Sequence, residues 1–448
     1  LWILDVYGFF VAGLLVTMGT LGDRIGRRRL LLVGAAAFGV ASVAAAQART
    51  AEALIAARAL LGIAGATLAP STLSLIRNMF LHPRQRTLAF GVWVSSYSTG
   101  SAIGPLLGGL VLQHFRWGAV FLLGVPVMAL LLIAGPFLLP ESRDPTARRL
   151  DVGSAALSLL AVLSVIFGMK AAVQDGWGRL PAAAIGAGLG FGVWFVRRQR
   201  RLPEPLIDLA LFRVRAFSAS LGIYLLATLA TFGSYVIVGQ YLQLVAGLSP
   251  LGAGLRMLPW SGSYIVGSLL TPALVRRVRP AFLMAGGLLL AAVGFALLPA
   301  MMGLGVGGIM VASTLYSLGM APVFTLGTEI IVGSAPAERA GAAAAISETS
   351  SEMGGALGIA VLGSIGTAAY RARLGTGGST AVADGALDTL GGATAAAAHL
   401  SAAEGTRLLQ VARDAFTHAV HVTAAICALV SILTAAAVLA TLRAVRKP

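Results

Sequence analysis

Charged residues are the scarcest class in this sequence. They make up 11% of its 448 residues, whereas a soluble domain carries about 25%. Together with a hydrophobic fraction of 57%, this scarcity argues against a water-soluble enzyme and against a disordered chain. Cysteine is nearly absent as well, and because Cys427 stands alone the chain cannot form an internal disulfide. The composition instead predicts a protein that crosses a membrane several times.

Lysine is scarce too, yet the net charge is +16, because the chain has two lysines and 31 arginines. Such a charge often indicates a nucleic-acid partner, but its placement argues otherwise. Of the 33 basic residues, 23 fall in every second loop and at the C-terminus, 7 in the opposite loops and 3 within apolar runs. By the positive-inside rule the first group is cytoplasmic. We therefore expect a cytoplasmic C-terminus, membrane lipids at this face and no nucleic-acid partner.

Thirteen apolar runs have the length that a membrane-spanning helix needs, about 20 residues. They cover residues 2–20, 30–48, 52–76, 87–112, 117–139, 152–170, 181–196, 215–244, 251–275, 280–302, 306–333, 340–366 and 413–443. The fold class predicted is an all-α polytopic membrane protein. An N-terminus on the outside, without a signal sequence, suggests one preceding span. We therefore expect fourteen spans in the parent protein, with the first helix missing from this chain and 13 spans present.

The predicted spans fall into three blocks along the chain. Residues 1–139 form an N-terminal bundle with five of its six spans, and residues 140–214 form a linker with two extra spans. Residues 215–448 form a C-terminal bundle of six spans, with a long extracellular loop at about 367–412. With a leading span added, the order is 6+2+6, which predicts two six-helix bundles joined by a helical pair.

The most specific local pattern lies between the first two spans, where residues 19–29 read GTLGDRIGRRR. Asp23 lies in a turn where its carboxylate can accept hydrogen bonds from the N-terminus of a neighbouring helix. The glycines permit a tight turn and a close approach. Membrane topology alone does not require this spacing, which distinguishes the segment from an ordinary basic loop. The residues that carry the pattern are Gly19, Asp23, Arg24, Gly26 and Arg27.

A second pattern lies in the fourth span, where residues 100–109 read GSAIGPLLGG. Its glycines give the helix a thin face suited to close helix contact, and its proline removes a backbone donor and bends the helix. A thin, bendable helix suits the moving interface between two bundles, and ordinary small-residue packing is the alternative. The residues that carry this pattern are Gly100, Gly104, Pro105, Gly108 and Gly109.

Both patterns resemble motifs of the major facilitator superfamily. The loop matches G-x-L-x-D-R-x-G-R-R/K, and the fourth span matches G-x-x-x-G-P-x-x-G-G, the signature of its antiporters. Arg58 with Gly62 and Gly65 is similar to the membrane arginine of the R-x-x-x-G motif. With WILDVY at residues 2–7 and SETSSE at residues 347–352, the whole chain resembles the fourteen-span drug:proton antiporters. Among these it is most similar to the QacA-like and SmvA-like multidrug exporters.

This resemblance implies a major facilitator fold of two six-helix bundles plus two linker helices. It also implies export of lipophilic cationic drugs, antiseptics and dyes in exchange for protons by alternating access, with the proton gradient in place of any cofactor. The expected protein is a monomer in the bacterial inner membrane. Tyr264 stands where some members carry an acidic residue in their tenth helix, so recognition of dications is not implied.

Two carboxylates in the late span are the main candidates for coupling, because charge inside a bilayer is costly and usually functional. Glu348 and Glu352 are four residues apart, so they share one face of an Ala- and Gly-rich helix. Two carboxylates this close in a low dielectric do not readily ionise together. A proton and a cationic substrate would therefore compete for the same negative charge. The alternative is that either carboxylate is solvated at a helix end.

Other candidates leave two interpretations open. Asp5 is either a coupling carboxylate that pairs with Arg58 or an interfacial acid. Glu329 is either a secondary acidic site or part of a gate ion pair near the cytoplasmic end of its span. Five aromatic side chains either face a cavity, where their rings would attract a cation, or pack against neighbours and lipid: Trp93, Tyr97, Tyr235, Trp260 and Tyr264.

The sequence lacks the signatures of an enzyme and of an ATP-driven pump. It contains no P-loop, no nucleophile elbow and no metal-ligand spacing of histidine and aspartate, so we expect neither catalytic nor metal-binding residues. Two alternatives to a cation:proton antiporter remain. One is a major facilitator exporter of a neutral or anionic antibiotic, a siderophore or a lipid, and the other is a non-transporting membrane sensor.

Overall fold

The protein is built from long α-helices. A computed structural model describes residues 2–143, 151–174, 176, 178–202, 205–336, 339–375 and 389–443, and these residues contain no β-strand. The helices are α1 (Trp2–Ile25), α2 (Arg27–Ala46), α3 (Ala51–Met79), α4 (Pro83–His114), α5 (Val125–Leu138), α6 (Val152–Gln174), α7 (Arg179–Gln199), α8 (Arg215–Gln240), α9 (Pro250–Arg256), α10 (Leu258–Leu274), α11 (Pro280–Met302), α12 (Val306–Gly333), α13 (Ala340–Leu357), α14 (Gly363–Gly375), α15 (Leu390–Ala397) and α16 (Ala402–Thr441).

Helices occupy all thirteen positions at which the sequence predicts a span. Eleven helical segments of the described residues are long and apolar enough to cross a membrane. The two other positions hold α4 and the pair α9–α10, and α4 packs against α10. The break between α9 and α10 leaves α10 with 17 residues. Both α4 and α10 contribute serine or aromatic residues to a central cavity.

The segment predicted as a long loop at about 367–412 is partly helical. A π-helical turn at Gly358–Leu362 carries the chain from α13 into α14, which extends to Gly375. The last helix begins at Ala402, well before the predicted residue 413, because the Ser401 hydroxyl accepts a hydrogen bond from the Glu404 backbone N–H at 3.4 Å. Residues 376–388 of the predicted loop lie outside the described residues.

Two groups of helices meet around the centre of the molecule. In the first group α3 packs against α1 and α2, and α2 packs against α5. In the second group α11 packs against α12 and α16, while α8 packs against α13 and α16. The groups touch where α1 meets α13 and where α4 meets α10, and the α6–α7 hairpin lies beside α1 and α13. The division of the chain at residues 139 and 214 stays a prediction.

Candidate functional site

A cavity lies between the two groups of helices, with walls from α4, α8, α10, α12 and α13. Its volume is about 150 Å³. The five aromatic residues predicted from the sequence all line this cavity. Three further aromatic residues line it as well: Tyr224, Phe232 and Phe324.

Five of these rings form a continuous chain of contacts across the cavity wall. The ring centroids of Tyr235 and Trp260 are 5.2 Å apart, and those of Trp260 and Tyr264 are 6.4 Å apart. Phe324 continues the chain at 5.9 Å from Tyr264 and 5.1 Å from Tyr224. Such a wall offers apolar area together with the negative faces of aromatic rings, which attract cations.

Local hydrogen bonds hold two of the aromatic residues in place. The Trp93 indole N–H donates to the Thr72 hydroxyl at 3.0 Å, which fixes the ring between α4 and α3. The Ser317 hydroxyl donates to the Trp260 carbonyl oxygen at 2.7 Å, close to the break between α9 and α10. Tyr97 is 60% exposed although it lies in a membrane-spanning region. Tyr97 also belongs to the lining of the cavity.

Glu348 projects into this aromatic cavity. Of the described residues that line it, Glu348 is the one carboxylate, and none of them is a lysine or an arginine. Its Oε1 atom is buried without a hydrogen-bond partner among the described residues. The hydroxyls of Tyr97 and Tyr264 lie within electrostatic reach of the carboxylate. The arrangement therefore presents a single carboxyl group, with no basic side chain in the described lining.

Glu352 shares the α13 face with Glu348 but has different surroundings. It is exposed and does not belong to the cavity lining, and it lies within electrostatic reach of Tyr7 and Tyr97. The Arg58 guanidinium carbon lies 4.9 Å from the centroid of the Tyr7 ring, a cation–π contact. Tyr7 thus contacts Arg58 and lies within electrostatic reach of Glu352 on α13. The predicted role of these residues stays a prediction.

The close approach of α1 and α3 allows this contact. A Cβ atom on Gly62 would lie 2.6 Å from the Tyr7 carbonyl oxygen, so a larger residue would force the helices apart. Asp5 lies in the first turns of α1, and its side chain is outside the described part of the chain. Its predicted pairing with Arg58 therefore remains a prediction.

The loop pattern lies at the end of the molecule that we call the basic face, defined by Asp23, Arg27, Arg86, Glu329 and Arg339. The buried Asp23 carboxylate accepts hydrogen bonds from the backbone N–H groups of Gly341 and Ala342, both at 3.1 Å. It also accepts one from Arg27 Nε at 2.8 Å. The contact expected from the sequence is therefore made with α13, where Asp23 satisfies N–H groups that a helix start leaves open.

Three other residues of the pattern support this contact. A Cβ atom on Gly19 would collide with the Gly341 carbonyl oxygen, so glycine permits α1 to touch α13 there. Gly26 has a φ of 109°, a conformation that favours glycine, and it forms the turn between α1 and α2. Arg24 lies in the last turn of α1 and is partly buried.

A second carboxylate caps the neighbouring helix. Glu141, which follows α5, accepts hydrogen bonds from the backbone N–H groups of Arg28 at 3.1 Å and Arg29 at 3.2 Å. Glu141 thus caps the N-terminus of α2 in the same way as Asp23 caps the N-terminus of α13. The sequence signal was available, because Glu141 is the first acid after an apolar run, at the start of a basic loop.

Glu329 joins the two groups of helices at the same face. Its carboxylate accepts a hydrogen bond from the Thr87 hydroxyl of α4 at 2.8 Å, and Arg86 Nε lies 3.8 Å away. Glu329 is 8% exposed and lies outside the aromatic cavity. Of the two interpretations left open by the sequence, this geometry favours the gate ion pair.

The thin face of α4 has no close neighbour in this conformation, contrary to the expected helix contact. A Cβ atom built on any of its four glycines would lie more than 4 Å from every neighbouring heavy atom of the described residues. The Pro105 side chain lies outside the described part. The two groups of helices therefore touch at the basic face, while the thin face of α4 borders no close described neighbour.

Tyr224 and Phe324 are cavity residues that sequence reasoning missed. On α8, Tyr224 belongs to a polar stripe with Thr228, Thr231 and Ser234, spaced at about one helical turn. That stripe in an otherwise apolar helix was the available signal. Phe324 offers no such signal, because α12 is buried on nearly all sides.

Residues 2–359 match the family model described as Major Facilitator Superfamily. The chain belongs to the major facilitator superfamily. Since members of this superfamily are membrane transporters, the predicted major facilitator fold, the multi-pass membrane location and the prediction that the chain is not an enzyme are confirmed.

Relatives within the superfamily are named as drug efflux and resistance proteins. The multidrug efflux pump LfrA of Mycolicibacterium smegmatis is 45% identical over 441 residues, which are 98% of this chain and 87% of LfrA. The methyl viologen resistance protein SmvA of Salmonella typhimurium is 37% identical over 299 residues, which are 66% of this chain and 60% of SmvA. These matches confirm the resemblance to multidrug exporters.

Solved structures support the fold alone. The human organic anion transporter MFSD10 (TETRAN) matches with a TM-score of 0.61 at 16% sequence identity, over 98% of this chain and 83% of that one. At this identity the likeness concerns the arrangement of helices and carries no information about the substrate.

Proposed function

We propose that this chain exports lipophilic organic cations in exchange for protons, by alternating access across a bacterial inner membrane. The observation that carries the proposal is the position of Glu348, a carboxylate in an aromatic cavity whose described lining holds no basic side chain. A hydrophobic cation gains ring contacts and one counter-charge there. The names of LfrA and SmvA, a multidrug efflux pump and a methyl viologen resistance protein, support this substrate class.

Proton and substrate compete for the Glu348 carboxylate in this mechanism. With the cavity open to the cytoplasm, the ionised carboxylate binds the cation. With the cavity open to the outside, a proton neutralises the carboxylate. The cation then leaves, because a positive charge in the cavity no longer has a negative charge beside it. The protonated transporter then returns, so one positive charge moves in each direction.

The basic face is the cytoplasmic side in this proposal. The excess of arginine in its loops supports that orientation, and it makes the conformation described here open to the outside. Glu352 lies one turn further along α13 from the basic face than Glu348. It is exposed and within electrostatic reach of Tyr7, beneath Arg58. We assign it to the proton path between the outer opening and Glu348.

Equilibrium binding at two pH values tests the competition directly. The purified chain should bind tetraphenylphosphonium more weakly at pH 5 than at pH 8, because protonation removes the counter-charge. Glu348→Gln should bind about tenfold more weakly at pH 8, and its binding should not change with pH. In proteoliposomes with an imposed pH gradient, the same variant should lose ethidium transport.

Glu404→Gln is the matched control, since Glu404 is an exposed carboxylate in the first turn of α16. It should keep the pH dependence of the unmodified chain. Binding to Glu348→Gln that still weakens at low pH would show that another group couples the two ligands. A competition panel in which neutral or anionic antibiotics displace the probe as well as cations do would favour the alternative exporter.

A further inference from the structure

A groove runs along the outer surface of the α6–α7 hairpin, away from the aromatic cavity. Its volume is about 540 Å³, and its walls come from α6, α7 and one residue of α13, Met353. Its surface is mostly apolar, with Val162 and Val165 on one side and Leu189 and Val193 on the other. Leu189 and Val193 are more than half exposed, which places the groove on a surface that faces the bilayer.

Two glycines of α7 shape this groove in different ways. A Cβ atom on Gly188 would lie 2.7 Å from a Val165 methyl group, so Gly188 lets α7 pack closely on α6. At Gly192 the nearest atom to such a Cβ is the Ala161 Cβ at 4.0 Å. Gly192 therefore forms the open floor of the groove, and a larger side chain there would fill the groove without moving the helices.

The groove ends in a cluster of arginines at the C-terminus of α7. Arg197 and Arg200 belong to its lining, and Arg201 lies in an adjoining pocket beside Trp194. Arg198 is committed elsewhere, because its Nε and Nη2 atoms donate to Asp151 at 2.8 and 2.9 Å. This bonding holds the pKa of Asp151 below its usual range. No described acidic side chain pairs with Arg197 or Arg200.

We propose that this groove binds one anionic phospholipid. Its phosphate lies on Arg197 and Arg200, whose guanidinium groups suit bidentate contact with phosphate oxygens. An acyl chain lies over Gly192 toward Gly188, since Arg200 follows Gly188 by twelve positions, a helical rise of about 18 Å. Charge at one end and apolar walls along the rest match a lipid, whereas a free phosphate ion would use only the arginines.

The bound lipid touches the helix that carries the candidate coupling carboxylates. Met353, the groove residue from α13, directly follows Glu352 in the chain. The described residues of the α6–α7 hairpin do not line the aromatic cavity. In this proposal the role of the hairpin is to bind a lipid next to α13.

Native mass spectrometry of the purified full chain tests this site. Phosphatidylglycerol should remain bound after detergent removal, whereas phosphatidylcholine should not, and millimolar inorganic phosphate should not displace the lipid. The double variant Arg197→Gln/Arg200→Gln should bind phosphatidylglycerol about twentyfold more weakly, since each arginine contributes roughly a factor of five near an anionic group. Gly192→Leu should weaken binding with both arginines in place.

Arg276→Gln/Arg279→Gln is the matched control, because these arginines are exposed on the basic side between α10 and α11. It should retain phosphatidylglycerol. If the control lost phosphatidylglycerol as readily as the groove variants, the binding would depend only on the general charge of the surface, and the proposal would be overturned. Displacement by phosphate would identify an ion site instead. A protein dimer that Gly192→Leu abolishes would identify the groove as a contact between two copies.

Discussion

Asp23 is the residue on which the closed basic face depends most. Its buried carboxylate accepts hydrogen bonds from the first N–H groups of α13 and forms an ion pair with Arg27, whose Nη2 atom is 2.6 Å away. Arg27 is itself only 1% exposed. Buried charges of this kind stabilise the structure mainly through their mutual attraction, so the removal of one of them is costly.

Asp23→Asn should therefore destabilise the closed basic face while preserving the size of the side chain. We expect a cost of about 3 kcal/mol, which would shift the population of the closed state by about a hundredfold and strongly slow efflux of ethidium from proteoliposomes. Asp208→Asn is the control, since Asp208 forms an exposed ion pair with Arg339 at 2.5 Å. Exposed pairs contribute about 0–1 kcal/mol, so efflux should stay within about twofold. Similar rates for both variants would contradict the importance of the buried contact.

At the scale of elements, the two halves of α4 differ in how closely their glycines are packed. In the half near the basic face, a Cβ atom on Gly91 would lie 2.7 Å from the Ser268 carbonyl oxygen of α10. In the other half, the thin face around Gly104 borders open space. The first glycine is needed for packing in the present conformation. We expect the second half to be packed only when the outer side closes, as alternating access requires.

This difference predicts opposite effects of the same substitution in one helix. Gly104→Val should leave the thermal unfolding temperature of the purified protein nearly unchanged but should block efflux, because the added methyl groups obstruct closure. Gly91→Val should lower the unfolding temperature, because α4 and α10 must move apart. If Gly104→Val lowered the unfolding temperature as much as Gly91→Val, the face would already be packed in the resting protein.

At the scale of the whole molecule, the proposal that the cavity opens to the outside can be tested through the exposure of single side chains. Ser101 lines the aromatic cavity and is exposed, whereas Ser347, directly before Glu348 in α13, is fully buried. The native Cys427 is buried as well. The reactivity of a cysteine placed at Ser101 or at Ser347 should therefore report the side to which the cavity opens.

Thiol labelling of intact cells tests this conformation. In a Cys427→Ser background, Ser101→Cys should react with a membrane-impermeant maleimide added outside, and Ser347→Cys should not. A hydrophobic cation in excess should slow the reaction at Ser101→Cys, because it occupies the same cavity. Protection of Ser101→Cys from the reagent outside would mean that the cavity is closed to the outside in cells.

Much of this architecture is predictable because bilayer thickness and backbone hydrogen bonding leave few choices. The positions of the helices follow from apolar runs, and the five cavity aromatics follow from their placement within spans. Boundaries were less accurate where a capping residue extends a helix, as Ser401 does for α16. The spacing of four residues between Glu348 and Glu352 also predicts correctly that they share one face of α13.

The sequence by itself determined the helices, their order, the distribution of charge between the two faces and the membership of the superfamily. The tertiary structure alone decided that Glu348 enters the aromatic cavity while Glu352 is exposed, that Asp23 caps α13 and that the thin face of α4 is open. The physical reason is that helical periodicity places residues on a common face but does not say what covers that face. In a bilayer, lipid and neighbouring helices are both apolar, so hydrophobicity cannot distinguish them.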